Sequence, residues 1–173
     1  MSVGDSLLKY KSSKDIEKKI NASRDKGFVY KSKKYYSITF TNRNDMDLEN
    51  YDAVQIHLKN KDKKYIIQSI SGLTVMENEK CYKEMDTIIL ELDSLFNSSK
   101  KTDKKKRKHV YDETGESTTT DRYYFLNDGS TAAITCTDWS NTIIKNNPGF
   151  FDHLRLTLNI GKFDYWLNNE AYD

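Results

Sequence analysis

Gly4-Asp5-Ser6-Leu7, near the start of the chain, spells the nucleophile motif of a class of serine esterases. That chemistry needs the serine at the end of a buried parallel strand, with a histidine base supported by an aspartate three residues before it. Only Met1, Ser2 and Val3 precede the motif, so that strand is not expected. The late histidine is His153, and the residue three before it is Phe150; Asp152 is its neighbour, and Asn127 lies in a turn sequence. A helix cap followed by buried leucines accounts for the motif better than a nucleophile at Ser6, which ranks last among the functional readings. The three histidines, His57, His109 and His153, have no second ligand at a metal-binding spacing such as Cys-x-x-Cys or His-x-x-x-His. All three read as surface groups. The sequence assigns no catalytic residue, no metal ligand and no cofactor.

Cys81 and Cys136 are the only cysteines. If the segment holding Cys81 lies across the strand holding Cys136, both sulfurs enter one layer. A bond between them and two free buried thiols are both compatible with that placement. Lys100 to His109 holds seven Lys or Arg, one Asp and no apolar residue. Charge this dense disfavours regular structure, so the run reads as a solvated loop at about 98–109. Its functional alternative is an anion-binding patch made by Lys100, Lys101, Lys104, Lys105, Lys106, Arg107 and Lys108, with nucleic acid or acidic lipid as ligand. Nucleic acid is the less favoured of these, since no Gly-rich phosphate loop accompanies the run and most tyrosines sit in strand alternation. Trp139, in Asp138-Trp139-Ser140, could anchor a ligand or serve as a core or rim aromatic, and the same holds for Tyr165-Trp166.

Periodicity predicts the elements that position these residues. Asp5 can cap a turn that buries Leu7, Leu8 and Tyr10, and Ser12 or Ser13 can cap a helix with Ile16 and Ile20 on its apolar face. Tyr36 to Phe40, then Val54, Ile56 and Leu58, then Lys64 to Val75 read as strands, with Asn60-Lys61-Asp62 as a turn. Cys81, Met85, Ile88, Leu92 and Leu95 form a long helical stripe, widened by Tyr82, Ile89 and Phe96. Tyr123 to Leu126 and Thr131 to Thr137 flank the hairpin signal Asn127-Asp128-Gly129. Leu154 to Ile160 alternates as a strand, and Phe163, Trp166 and Leu167 begin a last helix. Asn146-Asn147-Pro148-Gly149 holds the only proline and reads as a turn. The order α-β-β-β-α-β-β-β-α with short polar connections predicts an α+β fold, an antiparallel sheet with helices packed on one face.

The 173 residues suit a single domain, 1–173. Aromatic residues make up 12% of the chain, enough for a core despite 31% charged residues. The 28 basic and 26 acidic residues give a net charge of +2, too balanced to specify nucleic acid or membrane. No apolar stretch is long enough for a transmembrane helix.

Several segments together resemble an uncharacterised family of small, signal-peptide-bearing secreted proteins of marine alphaproteobacteria. They are Gly4-Asp5-Ser6-Leu7-Leu8, Tyr51-Asp52 with Val54-Gln55, Lys64-Tyr65-Ile66-Ile67, Ser69-Ile70-Ser71-Gly72, Cys81-Tyr82-Lys83, Ser117-Thr118-Thr119, Cys136 with Asp138-Trp139-Ser140, and the final Phe163, Tyr165-Trp166-Leu167 and Asn169-Glu170-Ala171-Tyr172. They span nearly the whole chain in order. The resemblance implies a bacterial periplasmic or secreted domain in its mature form with an added Met, since no charged and apolar leader precedes Gly4. It also implies a Cys81–Cys136 disulfide. It transfers no catalytic residue, and the basic run looks longer than the family's. The expectation is a non-enzymatic binding or interaction domain whose partner is a protein or small ligand of the cell envelope.

Overall fold

The computed structural model describes residues 1–23, 27–28, 30–42 and 45–172. Eight strands form an antiparallel sheet in the order β1-β2-β3-β8-β7-β6-β4, with β5 also pairing β6. With four α-helices this is an α+β fold. The helices are α1 (Ser13–Ala22), α2 (Asn78–Leu95), α3 (Asn141–Asn146) and α4 (Gly161–Asn169). The strands are β1 (Tyr35–Thr41), β2 (Ala53–Lys59), β3 (Ile67–Val75), β4 (Lys100–Lys101), β5 (Lys105–Lys108), β6 (Thr118–Phe125), β7 (Thr131–Asp138) and β8 (His153–Asn159). Beyond the expected order there are α3, a single 3-10 turn at Leu7–Lys9, and the two short basic strands. Among the described residues no helix is long and apolar enough to cross a membrane. The chain divides into two compact units, and β3, β7 and β8 contribute residues to both.

The first unit holds residues 1–72, 128–131 and 157–173. In it β1 pairs antiparallel with β2, placing Tyr36 opposite Leu58, Ile38 opposite Ile56 and Phe40 opposite Val54. These six side chains meet Leu7, Ile16, Tyr65 and Ile67 in one core. Ser12 caps α1 by accepting from the Asp15 amide, and Ile16 is the helix's buried contact. The alternate positions Tyr35 and His57 face the other way, where α4 lays Phe163 and Trp166 over them. Helices thus cover both faces of β1 and β2, where the sequence suggests one. The second face looks polar in sequence, because its residues are Ser37, Thr39, Gln55 and His57. Its apolar cover arrives from the far end of the chain.

His57 is consequently buried, contrary to the surface reading. Its ring packs on Phe163 at 4.9 Å and near Tyr30 at 6.3 Å. The first turn also departs from expectation: Ser6 caps it rather than Asp5, and of Leu7, Leu8 and Tyr10 only Leu7 is buried. Strand β3 begins at Ile67 rather than Lys64. The Asp62 carboxylate accepts from the Lys64 and Ile66 amides, and Tyr65 takes a left-handed φ of 49°, so residues 62–66 form a turn. Gly161 opens α4 where a Cβ would stand 2.8 Å from the Gly129 carbonyl oxygen, a separation that only glycine permits.

The second unit holds residues 73–127 and 132–156. Helix α2 buries Cys81, Met85, Ile89 and Leu92, a 4-4-3 spacing that returns to one face. A disulfide joins Cys81 to Cys136 of β7, with Cα atoms 5.9 Å apart. It encloses a separation of 55 residues, and both cysteines are buried. The helix therefore lies on the strands, sulfur to sulfur, but the expected stripe is corrected at two positions: Ile89 is buried where Ile88 is only half-buried, and Leu95, at the end of the helix, is 71% exposed.

Candidate functional site

The basic run is exposed, as expected, but it is not simply a loop. Lys100–Lys101 pair with Phe125 and Tyr124 of β6, and Lys105–Lys108 pair with Asp121 to Thr118. Thr102, Asp103 and Lys104 interrupt the two. Like charge does not prevent this pairing, for two reasons. Successive side chains of a strand alternate between faces, so same-face lysines stand about 6.6 Å apart and repel by about 0.6 kcal/mol in water before screening. The neighbouring elements also supply carboxylates, which lie outside the run itself.

Those carboxylates come from one flank of α2 and from β6. Asp93 meets Lys101 at 3.2 Å and Arg122 at 2.9 Å. Asp86 pairs with Lys104, and Asp121 pairs with Arg107. The Tyr124 hydroxyl donates to Asp93 at 2.9 Å. Burial alone would raise the Asp93 pKa, but the Tyr124, Lys101 and Arg122 contacts outweigh it and hold the carboxyl below its usual range. Asp121 in turn holds the Arg107 pKa above its ordinary value. Lys106 stands 6.0 Å from the centre of the Tyr82 ring. Three of the seven candidate cations, Lys101, Lys104 and Arg107, are thus ion-paired, Lys101 to a carboxylate that it shares with Arg122. Lys100, Lys105, Lys106 and Lys108 have no carboxylate at ion-pair distance among the described residues. Tyr82, Asp86 and Asp93 are four and seven residues apart, which is one side of a helix. That spacing was the available signal that α2 backs the basic edge.

A small concavity of about 310 Å³ opens among Thr102, Asp103, Lys104, Lys105, Arg107 and Asp121. Beyond β5 the pairing continues through the His109 amide to the Ser117 carbonyl, 2.9 Å. Val110 and Tyr111 follow, 95% and 56% exposed. The chain then turns on Asp112. Its carboxylate accepts from the Ser117 amide at 2.9 Å, from the Ser117 hydroxyl at 2.5 Å and from the Ser140 hydroxyl at 3.0 Å. Thr114 donates to the same group through its amide and hydroxyl. The Ser117 and Thr114 donors hold the Asp112 pKa far below the usual carboxylate range. Asp112, Thr114 and Ser117 lie within one short turn, but Ser140 stands 28 residues from Asp112, and no sequence pattern joins the two segments.

The other candidates take structural roles. The Ser6 hydroxyl donates to the Lys64 carbonyl at 2.6 Å and accepts from the Leu8 amide at 3.2 Å. Around it Gly4, Leu7 and Ile67 exchange backbone hydrogen bonds with Ile67, Tyr65 and Asp5. The motif straps the N-terminal segment to residues 65–67, and neither hydroxyl partner is an imidazole. His109 is half-buried, with its ring 4.1 Å from that of Trp139, whose ring also stacks on Phe150 at 4.7 Å. The histidine therefore belongs to a rim cluster and not to the free surface. His153 donates from Nδ1 to the Phe151 carbonyl, 2.8 Å, while its Nε2 is buried with no partner. Burial pushes its pKa down to about 4. Trp166 is fully buried and donates from Nε1 to Ser32. No cluster of three or more His, Cys, Asp or Glu suited to a metal occurs among the described residues. No protein-family profile, curated protein or solved structure matches the chain.

Proposed function

We propose that this protein is a non-enzymatic binding domain of an oxidising compartment outside the cytoplasm, and that it holds an anionic partner on the β4–β5 edge. One observation carries the reading. Helix α2, bolted to β7 by Cys81–Cys136, presents Tyr82, Asp86 and Asp93 to the basic edge. The crosslink thereby anchors the helix that orders the cations. Lys100, Lys105, Lys106 and Lys108 keep their charge available beside it. Disulfides persist where thiols are not kept reduced, which supports a periplasmic or secreted location. The resemblance to secreted alphaproteobacterial proteins supports the same compartment.

Two measurements test the two halves. Mass spectrometry of the unreduced protein from an oxidising compartment is expected to yield a Cys81–Cys136 crosslinked peptide; two free thiols there would sink the compartment. Retention on heparin, a dense carrier of sulfate and carboxylate, is expected to fall with added salt. The combined Lys105→Ser, Lys106→Ser and Lys108→Ser variant is expected to lose that retention. Undiminished retention by the variant would remove the edge from the function.

A further inference from the structure

We infer that the β5 edge takes an extended acidic peptide as an added strand. This deepens the proposed anion binding and rests on it. Strand β5 is paired to β6 along one side only. Its four residues are all exposed. The opposite side of its backbone offers amides and carbonyls of the kind that an incoming strand uses. A phosphate or a lipid headgroup would engage the ammonium groups but leave this backbone unpaired. A peptide satisfies both.

Charge then selects the peptide. Lys-Lys-Arg-Lys repels a second copy of itself, which closes the edge to self-pairing. Strand alternation sends Lys106 and Lys108 to the side of Tyr82, and Lys105 and Arg107 to the other. With Arg107 held by Asp121, the free charge lies on both faces: Lys106 and Lys108 on one, Lys105 on the other. The matching strand carries Asp or Glu on both of its faces. Exposed Val110 and Tyr111 at the end of the edge favour an apolar residue at the matching end of the peptide.

The test compares a short Glu/Thr peptide ending in Leu with the same peptide methylated on alternate backbone nitrogens. The two have equal charge, and only the first can complete a ladder. The unmethylated peptide is expected to bind, to protect amides of residues 105–109 from hydrogen exchange, and to exceed the methylated form by at least about tenfold in affinity. Equal binding of the two peptides would overturn strand addition while leaving heparin retention, and hence anion binding, in place. Tighter binding to vesicles of anionic phospholipid or to a DNA oligonucleotide than to the peptide would overturn it too. Absence of peptide binding in a protein that is retained on heparin would do the same. Loss of heparin retention itself would instead strike the underlying reading.

Discussion

His153, half-buried with its Nε2 shielded from water, shows what a single imidazole does to the pH response. Its Nε2 has no partner and its pKa is depressed from 6.5 to about 4. Burial is the main cause, and Arg155 and His109 add repulsion toward the charged form. The Phe151 hydrogen bond at His153 and the Asp112 charge at His109 act the other way, but the net direction at both histidines is downward. The unfolded chain therefore binds a proton at this position in a range where the folded chain refuses it. Stability from the neutral ring is present above pH 6.5 and is lost as pH falls toward 4. Asp112 has the same sign of dependence, but its low pKa moves the loss into stronger acid, below the ordinary carboxylate range. The two can be told apart. In urea unfolding across pH 4 to 6.5, His153→Gln is expected to flatten the slope of stability against pH, because Gln cannot take up the proton. A slope identical to that of the unsubstituted protein would show that the ring is not buried as a neutral group.

At the scale of elements, the basic edge has a second physical role besides binding. An end strand with unpaired backbone invites another copy, and lysine is among the devices that prevent it. Lys105→Thr, Lys106→Thr and Lys108→Thr together keep the strand propensity and remove the charge. The combined variant is expected to shift toward dimers and larger species in sedimentation at low salt, whereas the unsubstituted protein stays in its original state. No change in mass distribution would mean that repulsion along β5 does not govern self-pairing. The same strand marks where the sequence was and was not legible. The buried Cys81, Met85 and Leu92 of α2, the turn between β6 and β7 and the alternation of β1 and β2 could be read directly, because each is set by contacts that recur within its own few residues, whereas exposed Leu95 and the start of β6 at Thr118 could not. The strands β4 and β5 could not, because their partners, Asp86, Asp93 and Asp121, come from other elements. His57 was misread for a related reason: alternation tells which residues share a face, not whether a distant helix will cover that face. The candidate cations were all legible as a charge run; which of them remain free was decided by the fold.

For the molecule as a whole, the crosslink belongs entirely to the second unit, whereas the first is held by its own cores around Ile38 and Ile56 and around Phe163 and Trp166. Closing a loop with a separation of 55 residues restricts the unfolded chain, which contributes about 4 kcal/mol in the chain-entropy account. Against a typical net stability of about 5–15 kcal/mol, that is a large share. The two tryptophans supply separate reporters, Trp139 in the second unit and Trp166 in the first. With Trp166→Phe the fluorescence follows Trp139, and with Trp139→Phe it follows Trp166. Reduction of the disulfide, or Cys81→Ser with Cys136→Ser, is expected to lower the urea midpoint reported by Trp139 more than the one reported by Trp166. The same treatment is expected to weaken heparin retention, since α2 carries the carboxylates and the Tyr82 ring that order Lys101, Lys104 and Lys106. If both midpoints and the retention stayed where they were, the crosslink would be an incidental product of oxidation, and its link to the basic edge would be lost.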